Sequence, residues 1–227
     1  MCYSFKTSMV SYTLGLLSGI VALCTNQIIL GCLILCYSQM QLSEALIWRG
    51  IDTNDTRLNQ WGTRFGKYVL PMHNIAIAIG IILVALQTRR RPTMTSTRAL
   101  CRTWAPLGIA IVFYIGILYH YHRSPSAKET YPLHRCAERS CQNSLNRLQW
   151  PYPTGWYTWS SVLSFLFLAV YVEPMSSKLC IGLFFLLTWL MALVVFQMTV
   201  SSIWCFFTAI LAPLVVLVNY YCSRRDS

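Results

Sequence analysis

SMVSYTLGLLSGIVALC-TN-QIILGCLILCYSQMQLSEALIW, residues 8–48, decides the fold. It is two apolar runs separated only by Thr25 and Asn26. Each has about the length a bilayer's hydrocarbon core requires, roughly 17–25 residues. A lipid-exposed backbone must satisfy its own hydrogen bonds, so both runs read as helices and the pair as a tight hairpin. Lys6 ahead of the first run resembles the start of a signal peptide. No small-x-small cleavage site precedes Cys24, however, and a second span follows at once, so the first helix is read as retained. Working outward, five more apolar stretches occupy about 68–87, 104–121, 156–172, 179–198 and 203–221. With 8–24 and 27–48 they predict an all-α integral membrane bundle of seven transmembrane helices, one domain over 1–227.

Composition agrees. Hydrophobic residues make up 56% of the chain and charged residues 11%, with a mean hydropathy of +0.49. A soluble domain carries about 25% charged residues. The stretches 49–67, 88–103 and 122–154 are read as loops, too short for a separate folded module. The net charge of +11 sits almost wholly in those loops. No basic platform interleaved with aromatics appears, so the expected partners are membrane lipids and not nucleic acid.

Orientation follows from the loops. Arg89, Arg90, Arg91, Arg98 and Arg102 crowd the 88–103 loop without an acid, and Arg224 and Arg225 end the chain. Positive-inside reasoning puts both in the cytoplasm and the N-terminus in the lumen or outside. Asn54-Asp55-Thr56 is a glycosylation sequon on the outer side of this arrangement, and Cys136 and Cys141 are placed where an oxidising compartment lets them pair. Lys6 argues the other way. Cys101 and Cys222, beside Arg102 and Arg224, suit palmitoylation as well as they suit unmodified thiols.

Seven spans gather most of the polar residues near one membrane face. Gln41 and Glu44 close span 2, His73 and Asn74 open span 3, His120 and His122 end span 4, and Trp204 and Cys205 open span 7. Tyr37, Gln41, Glu44 and Trp48 follow a three-to-four-residue spacing and share one helical stripe. A carboxylate at membrane depth costs about 2.5–3.5 kcal/mol, so Glu44 is expected to face the bundle and find a partner. His73 is expected at a matching depth. A Glu44–His73 pair can hold a proton, orient a metal, or simply fasten two helices as interhelical hydrogen bonds do.

Glu44, His73, His120 and His122 are the candidate metal ligands, with zinc the candidate ion. Three ligands and a water make a catalytic zinc site. No HExxH-type motif is present, and His120 and His122, two apart on a helix, point away from each other. Cys205 and an N-terminal Cys2 exposed by loss of Met1 are candidate nucleophiles, set against inert thiols. The 122–154 loop, with Trp150-Pro151-Tyr152-Pro153, is long enough to fold over the mouth of the bundle, or to be a rigid loop without function.

Met1-Cys2-Tyr3-Ser4, Gln41-x-x-Glu44-x-x-x-Trp48 and Ser202-Ile203-Trp204-Cys205, with Pro71-Met72-His73-Asn74, carry a resemblance. The chain resembles a family of small polytopic membrane proteins of unknown activity from large DNA viruses of protists and from bacteria. That resemblance implies a membrane bundle and no particular chemistry. Rhodopsins need a retinal-linking lysine in the last span, and 203–221 holds none. The paired last-helix histidines of ceramidase-like hydrolases and the acid-Arg-aromatic triplet of G-protein-coupled receptors are missing too. The expectation is a polar pocket lined by Gln41, Glu44, Trp48, His73, Asn74, Trp204 and Cys205 that binds or passes a small ligand, ion or proton. A membrane-embedded hydrolase or transferase acting on lipid, and a structural membrane or virion protein, are the alternatives.

Overall fold

The computed structural model describes residues 4–88, 97–123, 131–132, 148–149, 155–172, 175–195 and 207–225. Eight helices carry almost all of them. These are α1 (Phe5–Cys24), α2 (Ile28–Asp52), α3 (Thr56–Val69), α4 (His73–Thr88), α5 (Thr97–Arg123), α6 (Gly155–Tyr171), α7 (Met175–Val195) and α8 (Ala212–Arg225). A two-rung antiparallel ladder pairs β1 (Tyr131–Pro132) with β2 (Leu148–Gln149).

Two turns of one design fold the N-terminal half. After α1, Asn26 takes a left-handed φ of 63°. Its N–H bonds to the Leu23 carbonyl, and the Gln27 N–H reaches back to Ala22. After α2, Asn54 has φ 54°, and the N–H groups of Asn54 and Asp55 bond to Ile51 and Gly50. Both are Schellman caps with asparagine, whose short polar side chain tolerates this region, in the place usually held by glycine. Asp55 then caps α3, its Oδ1 accepting from the N–H groups of Arg57 and Leu58 at 3.0 and 3.1 Å.

The first turn joins helices where the Thr25–Asn26 reading expects. The second changes the picture, because 49–67 is not an irregular loop. α2 continues to Asp52, and α3 returns along it. The reason is amphipathicity: α3 buries Asn59, Gly62, Thr63, Gly66 and Val69 and leaves Arg57, Arg64 and Trp61 exposed. A 3₁₀ turn, Leu70–Met72, leads from α3 into α4. It tightens where Pro71 has no N–H to donate to the preceding turn.

Small residues set the packing. α1 turns Ser8, Ser11, Gly15, Ser18, Gly19 and Ala22 inward, while Val10, Leu17 and Val21 are about half exposed. This is the reverse of a soluble helix and the pattern of membrane helices, which approach each other on small residues. The inward hydroxyls need no partner from another helix. Ser11 donates to Thr7 O at 3.0 Å and Ser18 to Leu14 O at 2.7 Å.

Of the apolar window of α2, 72% is buried, against 33% for α1 and 17% for α5, so among the long apolar helices α2 is the central post and α5 the least buried. Helices α1, α2, α4, α6, α7 and α8 contact one another in sequence and close a ring, α8 returning to α1; α5 leans on α4. α8 begins after a bend at Leu211, where Pro213 cannot donate to Ala209. Leu148, from the 122–154 segment, is buried in the main core.

Four helices are long and apolar enough to cross a membrane: Phe5–Cys24, Ile28–Asp52, Thr56–Gln87 and Thr103–Arg123. The other three stretches read as spans are shorter apolar helices among the described residues, Trp159–Tyr171, Met175–Leu190 and Ala212–Tyr221. The all-helical fold class and several long apolar helices are therefore present, as an integral membrane protein requires.

Candidate functional site

The stripe on α2 faces inward as its spacing predicts: Tyr37, Gln41, Glu44 and Trp48 are all at most 5% exposed. The indole N–H of Trp48 is buried and has no hydrogen-bond partner among the described residues. It is a donor open to an acceptor.

His73 begins α4, continuing the rod that α3 and the 3₁₀ turn open. Its ring stacks on Tyr37 at 5.7 Å between centroids and 20° between planes. Tyr37 precedes Glu44 by seven residues, about 10 Å along the helix axis. Leu70 O lies 2.7 Å from Nδ1, and a carbonyl only accepts, so Nδ1 carries the hydrogen. In the neutral ring Nε2 then accepts from Ser160 Oγ at 3.2 Å. A serine and a backbone carbonyl contact the imidazole, with Tyr37 on its face.

Asn74 continues the network. Its Nδ2 donates to Ser160 Oγ at 2.7 Å and to Ser160 O at 3.1 Å, and its Oδ1 accepts from Ser164 Oγ at 2.6 Å. The bonds form one directed chain, Ser164 → Asn74 → Ser160 → His73 → Leu70. Every side chain in it is at most 3% exposed. In so dry a setting an unmade hydrogen bond costs about 1–3 kcal/mol, and that asymmetry holds the chain in one direction.

Sequence reading missed Ser160 and Ser164. Their signal was an i, i+4 serine pair on one face of an otherwise apolar helix, repeated by Ser161, which is also buried.

Other expected members divide. Among the described residues no three of His, Cys, Asp and Glu come together as a metal site requires. His120 is half-buried and His122 exposed at the end of α5, so Glu44, His73, His120 and His122 do not form a shared ligand set and zinc is not carried forward. Asn54 is exposed at the α2–α3 turn. Cys2, Cys136, Cys141, Trp204 and Cys205 lie outside the described residues. Cys24, Cys32 and Cys36 are free thiols.

No family model matches the chain. No curated protein and no solved structure matches it either.

Proposed function

We propose that this chain is a seven-span membrane protein whose N-terminal-side polar cluster binds or passes a small ligand, ion or proton. The directed chain from Ser164 to Leu70 is the observation that carries the reading. Its only ionisable member is His73, at the end where a proton can be taken up on Nε2. Protonation makes Nε2 a donor, and Ser160 must then turn its hydrogen to another acceptor, as helix serines do toward a carbonyl one turn back. The network thus has two arrangements, coupled by one hydroxyl rotation. Above it, Glu44 supplies a carboxylate and Trp48 an open N–H, which suits a small polar solute arriving from that side.

Membrane placement belongs to the same proposal. Arg57 and Arg64 on the exposed face of α3 favour an α2–α3 hairpin at and above the headgroups, with protein rather than lipid around Glu44. The arginine-rich 88–103 segment and C-terminal tail then face the cytoplasm. The resemblance to the viral and bacterial family belongs here too, since Gln41, Glu44 and Trp48 of its motif are among the buried stripe residues.

Pyranine-loaded proteoliposomes under a pH gradient test the proton reading. The wild type should dissipate the gradient, and His73→Ala and Glu44→Gln should slow it at least tenfold. Equal rates in wild type, both variants and empty liposomes would end it.

One observation favours a second reading, a hydrolase. Ser160 and His73 are in contact as nucleophile and base, with the tautomer fixed from behind by Leu70 O. A fluorophosphonate probe that labels wild type and not Ser160→Ala would establish it.

A further inference from the structure

The opposite membrane face holds a second polar site, unrelated to the Glu44–His73 side. A cavity of about 300 Å³ lies between the α1–α2 turn and the adjoining ends of α4, α6, α7 and α8. That is the small end of the range for ligand sites, roughly 300–1,000 Å³. At its wall, Gln27 Nε2 donates to Val216 O at 3.1 Å and to Thr25 Oγ1 at 3.0 Å. A backbone carbonyl only accepts, so the Gln27 amide has one permitted orientation. Its Oε1 therefore accepts, and Asn219 Nδ2 donates to it at 2.7 Å. This in turn fixes Asn219 Oδ1 as an acceptor. Asn219 is 4% exposed, and its Oδ1 has no partner among the described residues.

Asn219 lines the cavity together with Ile28, Ile29 and Leu30. Those three form the first turn of α2, whose N–H groups the helix itself cannot pair. The residue ahead of them, Gln27, makes no side-chain cap. The cavity thus offers an open acceptor, Asn219 Oδ1, beside the N-terminal turn of α2. Among the described residues, no Asp, Glu, Lys, Arg or His lines it. An anion would meet the bare Asn219 oxygen, and a cation would meet the positive end of the α2 dipole. A hydroxyl satisfies both partners at once, donating to Asn219 and accepting from α2. Val84, Val172 and Ile181 add apolar side chains to the lining, and Gln87, Tyr171 and Ser177 add polar ones.

We propose that this cavity binds a neutral, hydroxyl-bearing glycerol unit, either the headgroup of a diacylglycerol or free glycerol. Full-length protein purified in detergent tests it by native mass spectrometry with dioleoylglycerol and with dioleoylphosphatidic acid, and by equilibrium dialysis with tritiated glycerol. Dioleoylglycerol should be retained, and Asn219→Leu should weaken it about tenfold. Val84→Trp fills the space without touching the Gln27–Asn219 bonds, so it should have the same effect even if Asn219→Leu fails to fold. Glycerol binding that Val84→Trp also abolishes, without retention of dioleoylglycerol, supports the proposal with the free polyol as ligand. Binding of neither, phosphatidic acid bound as tightly as dioleoylglycerol, or full binding by Val84→Trp would overturn it. None of these outcomes depends on Ser160 or His73, whose alanine variants should bind dioleoylglycerol like wild type.

Discussion

Glycines divide this molecule into two kinds of packing. In the N-terminal half nearly every glycine marks a close approach. A methyl group on Gly50 would lie 2.6 Å from Asn59 N, on Gly62 2.9 Å from Ser43 O, and on Gly80 2.8 Å from Ile29 Cα. Each neighbour is backbone, so α2, α3 and α4 are locked main chain to main chain. Ser43 adds a hydrogen bond across the lock, donating to Gly62 O at 2.7 Å. In the C-terminal half the pattern disappears: Gly108, Gly116 and Gly182 have nothing within 4 Å of that position. There the helices meet through side chains such as Phe184 and Phe185, or face outward as Val112 does at 71% exposure. The N-terminal helices form a fixed frame. Movement that exposes either polar site is expected in the helices docked on that frame.

Alanine substitutions rank the two halves. Gly62→Ala and Gly50→Ala should destabilise most, by about 3 kcal/mol, the upper range for overpacking against a neighbour that cannot yield. The readout is thermal unfolding in detergent. Asn74→Leu crosses between the halves, leaving Ser160 and Ser164 short of partners at a cost of about 2 kcal/mol by the same measurement. Gly15→Ala should cost only about 1 kcal/mol, because its neighbour is the Ser38 side chain, which can rotate away. Gly116→Ala should reverse the sign, stabilising by up to ~0.5–1 kcal/mol through lower backbone entropy in the unfolded chain. A loss at Gly116 as large as that at Gly62 would break the comparison and point to another surface packed on α5.

What the sequence made legible was local. The Thr25–Asn26 hairpin and the Tyr37–Gln41–Glu44–Trp48 stripe depend on spacings within one or two turns, and both are present. The helix Thr56–Val69 was lost because hydropathy averages over a helical turn, so alternating Arg57, Leu58, Asn59 and Trp61 reads as a polar loop. Ser160 and Ser164 were overlooked for a different reason. Their partners lie 86 to 90 residues away, and serine within a span looks like any small residue until the facing helix is known.

The turn Thr53–Asn54–Asp55 has one more consequence. It is exposed, closed by its own backbone hydrogen bonds, and carried at the tip of two helices locked to each other. From Ser43 to Asp52 that arm is about 15 Å long. Such a tip is a labelling handle: a short epitope inserted there should leave the bundle undisturbed. Whether an antibody reaches it in intact or only in permeabilised cells reports which side of the membrane the α2–α3 turn faces.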